Sequence, residues 1–204
     1  MLTALTAGVL LGLSAGLTPG PMLTLVISQT LRHNVREGMK VAFSPLFSDL
    51  PIIVLTLWAL SHLAGFEQIM GILSLVGGLY VLYLAWECFQ SGEIDTAPLE
   101  ARPNSLRKGV ILNFLNPAPY LFWATVGGPL IIQQQEARAA AAGFFLVSFY
   151  VLLVGSKLTL AWLTGKTRHL LSSRGYGWLM RFLGLLLVGF ALVFFKKALV
   201  MMRG

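Results

Sequence analysis

The chain has 204 residues, of which 56% are hydrophobic and only 11% are charged. A soluble domain carries about a quarter of its residues as charged side chains, and it could not bury this much apolar surface in one core. This composition excludes a soluble globular protein and predicts an all-α integral membrane protein. The net charge of +7 is interpreted as a topology signal and not as a nucleic-acid footprint, because Lys and Arg mark the cytoplasmic loops of membrane proteins.

Six apolar segments follow one another along the chain, each long enough to cross about 30 Å of hydrocarbon. They cover residues 3–29, 41–61, 68–90, 109–133, 139–164 and 178–202. The first segment is not preceded by Lys or Arg and lacks a cleavage motif, so we expect it to be retained as a span and not removed as a signal peptide. The prediction is therefore a multi-pass protein with six transmembrane helices.

The polar connections between these segments divide the chain and orient it. The longest connection, residues 91–108, contains two prolines and is predicted to be a cytoplasmic linker. It separates a first three-helix membrane repeat, residues 1–90, from a second one, residues 109–204. Most Lys and Arg residues lie in the first, third and fifth connections, which predicts that these connections are cytoplasmic and that both termini face outward.

Two similar proline motifs lie about half the chain length apart. Residues 17–21 read Leu-Thr-Pro-Gly-Pro in the first segment, and residues 115–119 read Leu-Asn-Pro-Ala-Pro in the fourth. Since each half has three spans, the halves enter the membrane in opposite orientation, and such inverted repeats are typical of secondary transporters. Proline removes a backbone donor and clashes with the preceding turn, so the first and fourth helices are predicted to be broken. The alternative is that these prolines only kink their helices.

A broken helix must turn its freed carbonyl groups toward a cavity or a neighbouring helix, because they cannot face lipid. The partial charges at the new helix ends suit a zwitterion or an ion. The residues at both breaks are therefore candidates for a substrate or ion site: Thr18, Pro19, Gly20, Pro21, Asn116 and Pro117. Asn113 and Tyr120 lie three and four residues from Asn116, which predicts that all three share one helix face. They either hydrogen-bond a substrate or join helices to one another.

Two charged residues lie well inside the apolar segments. Asp49 follows Ser48 in the middle of the second segment, where a carboxylate costs at least about 2.5–3.5 kcal/mol of insertion free energy. Burial favours the neutral form of a carboxyl group, which suits Asp49 to carry a proton during transport; the alternative is a structural role. Lys157 in the fifth segment pairs with Asp49, binds a substrate carboxylate, or extends toward the membrane interface. Glu87, near the end of the third segment, is interpreted as an interfacial residue.

No pattern in the sequence indicates a metal site or a catalytic site. Cys88 is the single cysteine, which excludes an internal disulfide and a cysteine-rich metal site. The three histidines lie in the connections without metal-ligand spacing, and no apolar segment contains a His–Glu or His–Asp pair. We therefore expect no cofactor, no bound metal and no enzymatic activity.

Three features together resemble the lysine exporter (LysE/RhtB) family of small bacterial amino-acid exporters. They are Gly-Leu-Thr-Pro-Gly-Pro at residues 16–21, the lone Asp49 of the second segment, and Asn-Phe-Leu-Asn-Pro at residues 113–117. The length and the six-segment hydropathy are similar along essentially the whole chain. The resemblance implies export of amino acids or related small metabolites across the bacterial cytoplasmic membrane, driven by the proton gradient. The residues of this sequence that match the motifs of that family are Pro19, Gly20, Pro21, Asp49, Asn116 and Pro117, and the resemblance implies a functional role for them.

The sequence departs from that family at Met22, Ser48 and Ala118, where members often have Asn, Gly and Lys. These differences bear on the solute more than on the fold. A metal-cation exporter of the same superfamily and a passive small-solute channel are the alternatives. The partners expected are a small-molecule substrate, protons and the lipid bilayer, and no nucleic acid. A homodimer suits so small a transporter, although no motif indicates one.

Overall fold

The computed structural model describes residues 2–62, 66–90, 103–137, 139–168 and 173–203. Every regular element in these ranges is helical, which confirms the all-α prediction. A five-residue π-helical turn at Trp123–Gly127 separates α7 from α8. The helices are α1 (Leu2–Leu17), α2 (Pro21–Arg32), α3 (Val35–Ala42), α4 (Ser44–His62), α5 (Phe66–Gln90), α6 (Ser105–Leu115), α7 (Pro117–Phe122), α8 (Gly128–Ala137), α9 (Ala139–Thr167) and α10 (Ser173–Arg203).

Within the described ranges, four helical stretches are long and apolar enough to cross a membrane, and the bent pair of α1 and α2 makes a fifth if it counts as one span. Trp86, Val147 and Trp178 are among many large apolar side chains that are mostly exposed, as expected of surfaces that contact lipid. The protein is therefore a multi-pass membrane protein. The predicted arrangement of six spans in two inverted repeats is not confirmed, because four or five candidate spans are found among the described residues. The four stretches are Val35–Thr56, Gln68–Gln90, Ala140–Thr167 and Arg174–Met202.

The first break lies where the proline motif places it. α1 ends at Leu17, α2 begins at Pro21, and the two axes are bent by 61°. The hydroxyl of Thr18 donates to the carbonyl oxygen of Ser14 at 2.6 Å and so closes the last turn of α1. Gly20 is the N-cap residue of α2 in extended conformation, and Pro21 occupies the first turn, where its missing N–H leaves no hydrogen bond unmade. Local residue chemistry thus sets where one helix stops and the next starts.

The second break has a different register. α6 ends at Leu115, and α7 begins at Pro117, directly after Asn116. The side-chain oxygen of Asn116 accepts a hydrogen bond from the N–H of Ala118 at 3.0 Å, so this residue caps the new helix at once. The helix therefore restarts at the first proline of this motif, whereas in the first motif it restarts at the second proline, Pro21. The two motifs match in sequence but not in the position of the new helix.

α1 packs closely on α9 through three glycines spaced four residues apart, which lie on one helix face: Gly8, Gly12 and Gly16. A Cβ atom on Gly12 would collide with the backbone of Phe149, and one on Gly16 would collide with the hydroxyl of Ser156. Side chains of this minimal size allow two helix backbones to approach closely, which is how helices associate inside a membrane. The other large helix pair is α5 with α10.

The buried apolar residues form two clusters, and residues of both line the cavity described below. The first cluster joins α2, α3, α5, α6, α9 and α10, with Leu25, Val41, Leu84, Leu112 and Met180 among its members. The second cluster joins α1, α4, α5, α7, α9 and the π turn, with Ala4, Ile52, Trp123, Phe145 and Phe149 among its members.

Two stretches that the sequence predicts to be polar connections are partly helical. Residues 91–102 of the predicted linker lie outside the described ranges, but α6 already begins at Ser105. In the first connection, the side chain of Asn34 accepts a hydrogen bond from the N–H of Glu37 at 3.2 Å and starts α3. Glu37 and Val41 of α3 are buried, so this short amphipathic helix packs against the protein and does not form a solvated loop.

Candidate functional site

A cavity of about 520 Å³ lies at the break between α1 and α2. Its wall also includes the aromatic side chains of Phe122, Trp123 and Phe149. Ligand pockets of this size hold one small organic molecule. Most residues that the sequence singles out as a substrate or ion site line this cavity: Thr18, Pro19, Gly20, Pro21, Asp49, Asn113, Asn116 and Lys157.

Asp49 is buried at the cavity wall, with 5% of the residue exposed. The Nδ2 atom of Asn113 donates to Asp49 Oδ1 at 2.6 Å, and the hydroxyl of Tyr150 donates to Asp49 Oδ2 at 3.2 Å. These residues, together with Ser48, are called the Asp49 cluster below. Each oxygen of the carboxyl group thus accepts a hydrogen bond from a neutral donor, so the group is satisfied without a salt bridge.

The orientation of Asn113 follows from its second partner. The Ser48 hydroxyl donates its proton to the carbonyl oxygen of Ser44 at 3.0 Å, and its oxygen accepts from Asn113 Nδ2 at 2.7 Å. Since that proton is already used, Asn113 must present its NH2 group to Ser48 and hence also to Asp49. Asn113 lies in the last turn of α6, which packs against α4.

Lys157, on α9, is 4% exposed and lines the same cavity. The side chain does not extend toward an interface, because almost none of it is accessible. It also has no salt bridge with Asp49, and within the described residues it forms no hydrogen bond or ion pair. Lys157 therefore lies at the cavity wall, and whether it serves Asp49 or a solute there stays a prediction.

Three predicted residues do not line the cavity. Ser48 reaches it only through Asn113. Pro117 is buried at the start of α7. Tyr120 donates its hydroxyl proton to the carbonyl oxygen of Phe114 at 2.9 Å. The predicted shared face of Asn113, Asn116 and Tyr120 assumes a continuous helix, and the break at Asn116 separates Tyr120 from the other two.

Sequence reasoning missed Tyr150 and the aromatic wall. Tyr150 lies seven residues before Lys157, which is two helical turns along α9, so both fall on one face. A tyrosine two turns from a buried lysine is a signal that the sequence contained. The contact of Trp123 with Tyr150 had no such signal, because it brings the π turn against α9.

A second buried polar cluster, called the Glu87 cluster below, lies away from the cavity. Glu87 Oε2 accepts hydrogen bonds from Arg32 at 3.0 Å and from Lys108 at 2.8 Å, and all three side chains are largely buried. Glu87, which the sequence analysis interprets as an interfacial residue, lies near the end of its span and is buried there: α5 packs its last turn against α2 and α6, where two cations face the carboxylate. None of these three residues lines the cavity.

The part of the chain that the structure describes contains no group of three or more His, Cys, Asp or Glu side chains that could hold a metal ion. Asp49 is the single acidic residue among those that line the cavity, beside two lysines, Lys157 and Lys197. The site is therefore suited to hydrogen-bonding and to charge pairing with an organic solute more than to coordinating a cation.

The chain is similar in sequence to known efflux proteins. It is 29% identical over 153 residues to the cysteine/O-acetylserine efflux protein of Salmonella typhimurium, and 26% identical over 151 residues to that of Escherichia coli K12. Each match covers 74% of this chain and 75% of the relative. No solved structure matches the chain significantly.

The model of a translocator family matches residues 13–198, which is most of the chain. Translocators of this kind are transporters, and this confirms the prediction that the chain is not an enzyme. The matched range includes both proline motifs, Asp49 and the cavity-lining lysines. The chain belongs to the LysE type translocator family, as the resemblance in its sequence implied.

Proposed function

We propose that this translocator exports amino acids or closely related small metabolites across the bacterial cytoplasmic membrane and that export is coupled to protons. The observation that carries the proposal is Asp49, a buried carboxyl group held by neutral donors at the wall of a cavity between two broken helices. The names of the relatives, which are efflux proteins for cysteine and O-acetylserine, support the class of solute.

The hydrogen bonds around Asp49 favour one oxygen as the place where a proton binds. Asn113 presents an NH2 group to Oδ1, and an NH2 group cannot accept a proton in return. Tyr150 presents a hydroxyl to Oδ2, and a hydroxyl turns from donor to acceptor by rotating its hydrogen. A proton on Oδ2 therefore keeps both contacts, whereas a proton on Oδ1 removes one. Tyr150 would act as the partner that adapts to the charge of Asp49.

The solute path in this proposal runs between the two halves of the chain, residues 1–90 and 109–204. The first half contributes the break at Gly20 and the carboxyl group of Asp49, and the second half contributes Asn113, Asn116 and Lys157. A site shared by two halves opens to each side in turn when one half rocks against the other. Binding of solute and release of the Asp49 proton would then occur on opposite sides of the membrane.

The test is export by proteoliposomes that contain the purified protein, with an imposed pH gradient. The panel of solutes consists of amino acids, with divalent metal ions as the alternative cargo. Wild type should move at least one amino acid, and Asp49→Asn, which keeps size and removes the charge, should abolish the acceleration by the pH gradient. Glu37→Gln, a carboxylate change away from the cavity, serves as the matched control and should transport as wild type does.

Three results would contradict the proposal. If transport by Asp49→Asn responds to the pH gradient as strongly as transport by wild type, Asp49 does not couple transport to protons. If the protein transports metal ions and no amino acid, the exported solute is a metal cation and not an amino acid. Flux that follows the solute gradient alone and ignores the pH gradient would indicate a passive channel.

A further inference from the structure

Lys157 is a buried lysine that forms no hydrogen bond or salt bridge with the described residues. Its side chain lines the cavity with 4% of the residue exposed, and no hydrogen bond or ion pair to a described residue satisfies it. A buried ammonium group without a partner is costly, so such groups in membrane proteins face a partner, a cavity or a ligand. Here the cavity is what Lys157 faces.

Asp49 is the only acidic residue among those lining the cavity, and its oxygens are already engaged. Oδ1 accepts from Asn113 and Oδ2 accepts from Tyr150, and no salt bridge joins Asp49 to Lys157. In the Glu87 cluster, by contrast, one carboxylate oxygen contacts two cations directly. The protein therefore forms direct ion pairs between buried charges in the Glu87 cluster, whereas at the cavity Asp49 and Lys157 form no such pair.

The N-terminus of α2 faces the same cavity. Gly20 and Pro21 line the cavity, and α2 continues for three turns to Arg32, so its first turn carries a partial positive charge. The space beside Gly20 is empty: a Cβ atom added there would meet only the carbonyl oxygen of Thr18, at 3.9 Å. A ligand atom can thus approach the backbone at the start of α2, as anions do at helix N-termini.

We propose that Lys157 and the first turn of α2 together bind the carboxylate group of the exported solute. The proposal rests on the proposed function and narrows it to solutes that carry a free carboxylate. The ammonium group of an amino acid then lies toward Asp49, which still has lone pairs to offer, and the side chain lies along the aromatic wall. The site selects zwitterionic amino acids with uncharged side chains, and it discriminates against their amides and esters.

The experiment measures ligand binding by purified protein in detergent, through the rise in the thermal unfolding midpoint with ligand concentration. The probes are neutral L-amino acids, the carboxamide of each, and the matching carboxylic acids that lack the amino group. The variants are Lys157→Met, which keeps length and removes charge, Lys157→Arg, which keeps charge, and the double variant Asp49→Asn/Lys157→Met. Lys196→Met, a neighbouring lysine outside the cavity, is the control.

Wild type should bind amino acids about 10- to 100-fold more tightly than their carboxamides, the size expected of a hydrogen-bonded charge pair. Lys157→Met should reduce this preference to within about threefold, and Lys157→Arg should retain most of it. A preference that survives in Lys157→Met overturns the proposal. Recovery of wild-type affinity in the double variant also overturns it, because Lys157 would then serve only to balance Asp49.

Gly20→Ala provides a second variant if Lys157→Met does not fold. The methyl group has room in the protein but occupies the approach to α2, so affinity should fall for carboxylates and change little for carboxamides. Equal losses for both classes overturn the proposal. Carboxylic acids that bind through Lys157 while no amino acid is exported would leave this inference standing and reject the proposed function. Export of amino acids without any preference for carboxylates over carboxamides would support the proposed function and reject this inference.

Discussion

The two buried carboxyl groups of this protein, Asp49 and Glu87, are satisfied in opposite ways. Glu87 contacts two cations, Arg32 and Lys108, and none of the three lines the cavity. Among the described residues, the carboxyl group of Asp49 accepts hydrogen bonds from the neutral donors Asn113 and Tyr150, at a cavity wall. A carboxylate bound by two cations is held in its charged state, whereas one bound by neutral groups can change its charge more readily. The Glu87 cluster is thus suited to joining helices, and the Asp49 cluster to transport.

The largest expected effect separates the two clusters by stability. Glu87→Gln leaves Arg32 and Lys108 buried without the carboxylate between them, and loss of one member of a buried ion pair costs about 3–5 kcal/mol. Asp49→Asn keeps hydrogen-bonding groups of the same size beside neutral partners and should cost less than about 1 kcal/mol. Thermal unfolding in detergent measures both. Equal destabilisation by the two substitutions would show that both carboxyl groups contribute to stability in the same way.

The glycines of the first span give the next largest contrast. Gly16→Ala places a methyl group against Ser156 and the backbone of α9, and such overpacking costs about 1–3 kcal/mol. Gly20→Ala, four residues later, has open space and should leave the unfolding midpoint within about 1 °C of wild type, while it reduces transport. The pair is compared by thermal unfolding and by proteoliposome export. Destabilisation by Gly20→Ala would mean that the cavity does not extend to the start of α2.

Tyr150→Phe tests the adaptable partner of Asp49. It removes one hydrogen bond to a charged group and leaves the ring packing on Trp123 and Phe149 in place, so the unfolding free energy should fall by about 1–2 kcal/mol. The pH-gradient-driven rate should fall about tenfold, with little change in affinity for carboxamide ligands. Tyr176→Phe, a buried tyrosine of α10 outside the cavity lining, is the control. An unchanged pH response would assign the proton exchange to other groups.

The smallest expected effect concerns the second lysine of the cavity. Lys197 is half-buried on α10 and lines the cavity, so Lys197→Met should weaken amino-acid binding by about two- to fivefold, less than Lys157→Met does. The exposed neighbour Lys196→Met should leave binding unchanged. Both are measured by ligand-dependent unfolding at several salt concentrations, since a partly exposed charge is screened by salt. If Lys197→Met weakens amino-acid binding more than Lys157→Met does, the solute carboxylate contacts Lys197 on α10 and not Lys157.

Local chemistry made part of this structure predictable. The breaks at Gly20 and Asn116 follow from proline and capping residues inside apolar runs, and Asp49 is conspicuous because a charge there is costly. The same reasoning placed Tyr120 on one face with Asn113 and Asn116, because it assumed that the helix continues through Asn116. It also could not tell that α7 restarts at Pro117, which depends on the side-chain cap of Asn116.

Long-range contacts were not predictable. Arg32, Glu87 and Lys108 lie at the ends of their apolar segments, where charges are ordinary, and only the packing of α2, α5 and α6 reveals that they meet. The spacing of Tyr150 and Lys157 places both on one face of α9, but it does not reveal that Tyr150 contacts Asp49, about half the chain away. Such contacts depend on how the helices are arranged in the membrane, and local sequence patterns do not determine that arrangement.

The glycine stripe on α1 brings the two halves of the chain into close contact beside the cavity. Gly12 and Gly16 of the first half are seated against α9 of the second half, so that no side chain fits between the two backbones. α9 carries Tyr150 and Lys157, and α1 ends at Leu17, directly before the break that lines the cavity. The spacing between these two helices therefore sets how far the break at Gly20 lies from Lys157.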